Sequence, residues 1–306
     1  MIKIVSWNIA KRHDPWRELL RMDVDVALLQ EASPPPDDVV ALRDGVLPPA
    51  EEPVILDIGP KDAWDSHSWN SDWWHGRWPA LFDRWPMVVR LSDRVNVEWF
   101  KQVGPVGWVD KDDEIAVSGI GTITAARVTP TDGSAEPFIV VSMYGRWEAP
   151  HPSKNKSSWI YSDASVHRII SDLSAFIASK DPTTHRILAA GDLNMAYGSL
   201  ENNPLALPAR ERSVWTRMEA LGMEFLGPQY PAGRQAWPTP YGLPADTRNV
   251  PTYRTNRQTP ATAQNQLDYV FASRGFHESI TARALNNSDE WGPSDHCRVL
   301  IEVAEG

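Results

Sequence analysis

Cysteine is nearly missing from this chain: 306 residues contain one, Cys297. A lone thiol excludes an internal disulfide framework and fits a reducing compartment. Long apolar runs are missing too. Charge interrupts every one within about ten residues, short of the roughly 20 that a membrane-spanning helix requires. The opening residues Met1–Asn8 read as a strand and carry none of the three parts of a secretion signal. A cytoplasmic location without membrane insertion is the expectation. Positive charge is in deficit, with 30 Lys and Arg against 40 Asp and Glu and a formal net charge of −10. That balance argues against duplex binding driven by global charge. It leaves room for a local basic rim around an acidic, metal-filled site.

What is present is the material of a soluble globular protein. Hydrophobic residues make up 42% and charged residues 23%, enough apolar side chain for a sizeable core. The length allows one large α/β unit, and neither an internal repeat nor a linker divides it. Residues 1–306 are therefore expected to form a single catalytic domain. The opening pattern is strand (2–8), helix from Asp14, and a buried strand Val24–Glu31 that ends in a carboxylate. Residues 60–113 are the least regular part. Strand-like runs follow at 118–128 and 137–143, then an amphipathic helix over 163–179 and a short strand Ile187–Gly191. A second helix covers 209–221, with Gly222 as its stop. Residues 227–265 form a long loop rich in Pro, Gly, Thr and Arg, and Leu267–Ala272 and Arg298–Val303 are closing strands.

The chemistry-bearing residues stand where strands end. Asn8 follows the first strand, Glu31 closes the second, and Asp192 and Asn194 follow the Ile187 strand. Asp295 and His296 precede the last strand. Convergence on one rim would gather oxygen ligands and an imidazole. That inventory suits phosphate-ester hydrolysis, because a hard divalent cation such as Mg²⁺, or Mn²⁺ in its place, takes carboxylate oxygens and cancels phosphate charge. Glu31 is the best first ligand, with Asn8 and Asp295 as its neighbours. Asp192 and Asn194 lie two apart, so in an extended chain they share a side. One could orient the attacking water while the other holds a phosphate oxygen. A cationic His296 beside a carboxylate such as Asp268 would stay charged and stabilise developing negative charge. Taken singly, each pair reads equally as a turn or a cap. The ordered set is what points to a metal site.

Five stretches, Ser6-Trp7-Asn8-Ile9, Leu29-Gln30-Glu31, Gly191-Asp192-Leu193-Asn194, Leu267-Asp268-Tyr269 and Ser294-Asp295-His296, resemble the endonuclease/exonuclease/phosphatase superfamily. They occur in that family's order and span nearly the whole chain. The resemblance implies a four-layer α/β sandwich, with two packed mixed β-sheets flanked by helices. It also implies Glu31 as a metal ligand with Asn8 beside it, Asp192 and Asn194 at the nucleophile, His296 on the phosphate oriented by Asp268, and Asp295 supporting the metal. Two stretches depart from family patterns. Ile9-Ala10-Lys11-Arg12-His13 follows Asn8, unlike the AP-endonuclease branch, which argues against abasic-site repair. Ser142-Met143-Tyr144-Gly145-Arg146 ends the middle strand, where many branches place a His; Tyr144 is the candidate replacement as a phosphate contact.

Two basic loops adjoin these segments. Arg146, His151, Lys154 and Lys156 form one, and Arg234, Arg248, Arg254 and Arg257 the other, so they read as a phosphate-holding rim, with Arg146 and Arg254 as its first candidates, while any single one reads equally as solvated surface charge. Six of the fifteen Trp fall at Trp64, Trp69, Trp73, Trp74, Trp78 and Trp85; packing is the expected role for most, with one or two free to stack on bases. Cys297 and His167 read as structural. A nuclease acting on DNA or RNA is the leading expectation. Hydrolysis of a phosphorylated small molecule or lipid headgroup is the alternative. A binding protein with a disabled centre is disfavoured because every centre residue is present, and a zinc hydrolase because no His pair has helical ligand spacing.

Overall fold

The computed structural model describes residues 1–45, 54–66, 84–104, 109, 111–133, 135–153, 160–196 and 208–304. Among them, a five-stranded and a six-stranded sheet pack face to face. The first has the order β12-β13-β1-β2-β3 and the second β10-β11-β9-β8-β7-β4. Their strands are β1 (Ile2–Asn8), β2 (Val26–Ala32), β3 (Trp85–Arg90), β4 (Val95–Trp99), β7 (Ile123–Pro130), β8 (Phe138–Tyr144), β9 (Ile187–Asp192), β10 (Met223–Gly227), β11 (Asp268–Ser273), β12 (Ile280–Leu285) and β13 (Arg298–Val303). A small parallel pair, β5 (Lys101–Val103) and β6 (Glu114–Ala116), stands apart. Both sheets are mixed: β1 runs parallel to β2 and antiparallel to β13, while β8 runs parallel to β9 and antiparallel to β7.

Period-2 alternation sorts the side chains into layers. Ile4, Leu28, Val140, Leu188, Val270 and Ile301 face the space between the sheets. Val5, Trp7, Ala27 and Leu29 face outward and are covered by Trp16 and Leu19 of α1 (Asp14–Leu19) and Val39 of α2 (Asp37–Arg43). On the other outer face, Val141, Ala189 and Phe271 pack under α4 (Asp163–Leu173) and α5 (Pro208–Ala220). A short helix α3 (Lys61–Trp64) completes the set. The result is the expected four-layer α/β sandwich. No helix among the described residues is long and apolar enough to cross a membrane.

Several local expectations change. Residues 60–113, the least regular part of the sequence pattern, hold β3, β4 and β5 among their described residues. β3 carries Pro86, a residue that breaks a ladder in mid-sheet and is tolerated here because β3 is an edge strand. The strand over 118–128 begins only at Ile123. The helix expected over 163–179 ends at Leu173 and tightens into a 3₁₀ turn, Ser174–Phe176, whose Phe176 still packs on the same core. His167 bridges helices, with Nε2 2.9 Å from Ser213 Oγ and Nδ1 accepting from Arg217 at 3.0 Å. Cys297 is fully buried, and burial holds its thiol well above the usual range. Trp64 and Trp85 are buried against each other, 6.4 Å between centroids. Trp69, Trp73, Trp74 and Trp78 lie outside the described residues, as do Lys154 and Lys156.

Close approach of β8 and β9 carries the site. A Cβ on Gly191 would stand 1.9 Å from Met143 O, at a φ of +156°. Gly133 has a φ of +68° with nothing nearby. Gly191→Ala should therefore cost about 3 kcal/mol or more in urea unfolding, and Gly133→Ala only about 1 kcal/mol. Equal costs would contradict this account of the β8–β9 contact.

Candidate active site

The polar residues of the five motifs meet at one seam between the two sheets. β1 and β2 deliver Asn8 and Glu31 from one sheet; β8, β9 and β11 deliver Tyr144, Asp192 and Asp268 from the other. The segment before β13 brings Ser294, Asp295 and His296 alongside. Two Asx turns end the strands in the same way. Asn8 Oδ1 accepts from Ala10 N at 2.9 Å, and Asp192 Oδ1 accepts from Asn194 N at 2.7 Å. The remaining atoms then reach across the seam, where Asn8 Nδ2 donates to Asp192 Oδ2 at 2.9 Å.

Further polar contacts cross between the sheets. Tyr144 Oη donates to Glu31 Oε1 at 3.0 Å, and Gln30 Nε2 donates to Ser142 Oγ at 3.0 Å. The non-acidic motif residues lock the frame. Trp7 Nε1 donates to His296 O at 3.0 Å, Ser294 Oγ to Asn8 O at 2.7 Å, and Tyr269 Oη to Met195 O at 2.5 Å.

At the centre, His296 Nδ1 lies 2.8 Å from Asp268 Oδ2, and its Nε2 lies 3.9 Å from Asp192 Oδ2. All three side chains are buried. Burial disfavours the imidazolium, but the facing carboxylates Asp268 and Asp192 outweigh it and raise the His296 pKa to about 10. Burial raises Asp192 to about 7, reinforced by Asp268 and opposed by His296. His296 is thus a fixed cation at neutral pH, and Asp192 a carboxylate of unusual basicity.

The donor set suits a divalent cation. Glu31, Asp192, Asp268 and Asp295 concentrate negative charge here. Beyond burial, Asp295, Asp192 and Glu31 together push up the Tyr253 hydroxyl, so one phenol senses three of them. Asp268 Oδ1 is buried without a hydrogen-bond partner. By spacing, Asp192, Asp268 and His296 form a compact triplet, with one possible ligand atom from each within 4.8 Å of the others. His296 is unsuited to ligate: Nδ1 is bonded to Asp268, and a protonated imidazole has no lone pair to offer. The Glu31 and Asp295 oxygens are the better match for a hard ion.

Asn194 is not extended; its φ is +52°, its Nδ2 donates to Gly145 O at 2.9 Å, and its backbone N–H caps Asp192. Asp192 and Asn194 therefore do not share a side by strand geometry; the turn brings them together. Arg254 donates to the carbonyls of Gln258 and Ser294, each at 3.4 Å, and its backbone N–H to Asp295 O at 2.9 Å, so it ties the long loop to the site. In that loop Arg234 and Arg248 likewise bond carbonyls, those of Gln235, Pro260 and Tyr230. Arg146 reaches Ile120 O at 3.2 Å and sits 5.7 Å over the Tyr144 ring. Two residues escaped the sequence reading. Arg84 pairs with Glu31 through Nη1 and Oε2, and the Tyr253 ring packs 4.9 Å from that of His296.

The pattern of the Endonuclease/Exonuclease/phosphatase family matches residues 5–296. The chain belongs to this family. Membership makes it a metal-dependent hydrolase of phosphate esters, an activity the buried Asp, Asp and His accommodate. No curated protein matches it. Solved structures share the fold at low identity. The catalytic domain of Xenopus laevis APE2 is 16% identical, with 99% of this chain and 91% of that one covered at a TM-score of 0.57. The endonuclease domain of TRAS1, a telomere-specific non-LTR retrotransposon, is 14% identical, with 99% and 98% covered at 0.54. An AP endonuclease from Archaeoglobus fulgidus is 15% identical, with 99% of each chain covered, also at 0.54.

In the metal-free family member, the two shifts act on stability in the same direction. His296 is raised on folding, so its contribution is full below about 6.5 and is lost as pH rises through about 10. Asp192 is raised too, so the folded state keeps a proton that the unfolded chain has released. Its contribution fades from 3.8 upward to about 7. Thermal melts in EDTA should show Tm falling between about pH 6 and about pH 10, with a shallower slope above about pH 7 in His296→Gln. Parallel slopes in the two proteins would overturn the His296 assignment.

Proposed function

We propose that this chain is a Mg²⁺-dependent nuclease cleaving phosphodiester bonds, with residues 1–306 acting as one catalytic domain because the site draws on both sheets. The observation that carries the reading is the Asp192 carboxylate held between Asn8 Nδ2 and Asn194 N, with the Asp268–His296 pair 3.9 Å away. Each Asp192 oxygen keeps a second lone pair for a water molecule. Burial makes that carboxylate basic enough to take the water's proton as the water attacks phosphorus. His296, kept cationic by Asp268, neutralises charge that develops on the phosphoryl oxygens. Tyr144 and Asn194 flank this position as phosphate contacts, and Asn8 orients Asp192. Glu31 and Asp295, with Asn8 beside them, would hold Mg²⁺, which when bound cancels phosphate charge and polarises the phosphorus. Arg84, now paired with Glu31, and Arg146 supply positive charge on that side of the site.

Nucleic acid is favoured as substrate for two reasons. The relatives of the same fold include a retrotransposon endonuclease domain and an AP endonuclease. The 227–265 loop also bears the exposed aromatics Trp237 and Tyr241, faces on which bases can stack. Incubation with Mg²⁺ and supercoiled plasmid, single-stranded DNA, RNA, an abasic duplex or small phosphomonoesters tests the reading. Plasmid or oligonucleotide cleavage supports it. Turnover confined to the phosphomonoesters would replace it with the small-molecule alternative.

Asp192→Asn and His296→Ala should each lower kcat roughly 10²–10⁴-fold while leaving the thermal transition cooperative. EDTA should abolish turnover, and Mg²⁺ or Mn²⁺ should restore it; full activity in either variant would remove these roles. Asp268→Asn removes the carboxylate that most raises His296. Its alkaline loss of activity should therefore move to lower pH than in the wild type, and an unmoved limb would mean that Asp268 only packs.

A further inference from the structure

Among the described residues, the two most exposed of the large apolar side chains are Trp237 at 82% and Tyr241 at 73%. Both sit on one projection of the long loop. Gln235 Nε2 donates to Thr247 O at 2.8 Å and closes this projection at its base. Turns at Pro240–Leu243 and Pro244–Thr247 fold the chain within it. No residue from 237 to 247 is buried, so the projection has no core for the two rings to fill. A Trp and a Tyr left in water this way mark a contact surface.

Sheet register places the projection beside the candidate active site. Leu285, the last residue of β12, pairs with Arg298, the first of β13, two residues after His296. The next residue, Asn286, is fully buried and grips both arms of the loop. Its Oδ1 accepts from Arg234 N at 2.8 Å, and its Nδ2 donates to Arg234 O at 2.9 Å and Pro251 O at 3.0 Å. Beyond Pro251 the chain runs into the site. Cys297 N donates to Thr252 O at 2.8 Å, and Tyr253 forms a β-bridge with His296, its ring 4.9 Å from the imidazole. The six residue steps from Thr247 to Tyr253 span at most about 22 Å.

Charge selects the occupant. The chain carries a net −10, yet residues 227–265 hold four arginines, Arg234, Arg248, Arg254 and Arg257, and a single acid, Asp246, a net of +3. Carbonyl bonds use N–H donors of Arg234, Arg248 and Arg254 but leave their charge in place. The loop therefore attracts a polyanion without a row of side chains committed to phosphates, and its tip offers the flat faces of two rings. Such faces take bases of any sequence. A duplex keeps its base faces inside the stack, so only unpaired nucleotides reach them.

Building on the nuclease reading, we propose that the 235–247 projection is a stacking platform that binds unpaired nucleotides and delivers single strands, not duplex, to the candidate active site.

Fluorescence anisotropy of the full chain in EDTA, with a labelled strand of about 12 nucleotides alone or annealed to its complement, tests this without turnover. The single strand should bind at least about tenfold more tightly than the duplex. Trp237→Ala should weaken single-strand binding about tenfold and Tyr241→Ala about fivefold, each leaving duplex binding unchanged, and Trp237→Phe should keep most of the affinity. Both side chains are exposed, so the variants should melt as the wild type does. In Mg²⁺, Trp237→Ala should raise KM for a single strand and leave kcat in place. Equal affinity for strand and duplex, or single-strand binding untouched by both alanine variants, would overturn the platform and leave the nuclease reading standing. Failure to cleave any oligonucleotide, with the Trp237-dependent strand preference present, would remove the nuclease reading and uphold the platform.

Discussion

The hydrogen bond from Asn8 to Asp192 joins one sheet to the other, and the geometry of the candidate active site rests on it. Neither side chain could stay buried alone, because an unpaired amide or carboxylate in this interior would lose its hydration without return. Each first uses one atom to cap its own turn and then spends the other on its partner. Tyr144–Glu31 and Gln30–Ser142 repeat the crossing between the next pair of strands, β2 and β8. The apolar layer between the sheets brings them together, and these polar ties set their register at the rim.

The same rim holds the backbone strain. Ala10, Lys11, Glu31 and Asn194 are the four non-glycine residues with positive φ among the described residues. Such conformations cost on the order of 1–3 kcal/mol each and survive only where surroundings enforce them. The enforcement is visible: Lys11 N donates to Glu31 O at 2.8 Å, and Asn194 is gripped through its N–H, its amide and its carbonyl. Cooperative packing elsewhere offsets this cost, and the left-handed turns let consecutive residues face different partners.

Much of this was legible in the sequence because strand-end residues carry two messages at once. An apolar run announces the strand, and a polar residue breaking its end announces exposure to a site. Asn8, Glu31, Asp192 and Asp268 are of that kind, and all converge. Period-3.6 patterning likewise located α4 and α5. The illegible parts share a different cause. Tyr253 lies in the long loop, and its contact with His296 spans 43 residues (296 − 253) without any local pattern. Arg84 precedes a strand whose Pro86 reads as a breaker, so both the strand and the ion pair with Glu31 were hidden. The left-handed turn at Asn194 is a tertiary requirement, invisible to an argument from strand alternation. Arginines of the loop looked like a phosphate rim, whereas Arg234, Arg248 and Arg254 bond carbonyls that the loop's own turns leave open.

The position of β13 has a consequence for biosynthesis. It is a late strand in the chain, yet it lies inside the first sheet between β12 and β1, immediately after the imidazole at 296. During translation, β1 waits beside a missing neighbour until that strand has left the ribosome, and the carboxylate at 192 waits for its cation. The buried carboxylate and imidazole at the seam therefore come together only in a single late step, once the sheet is complete.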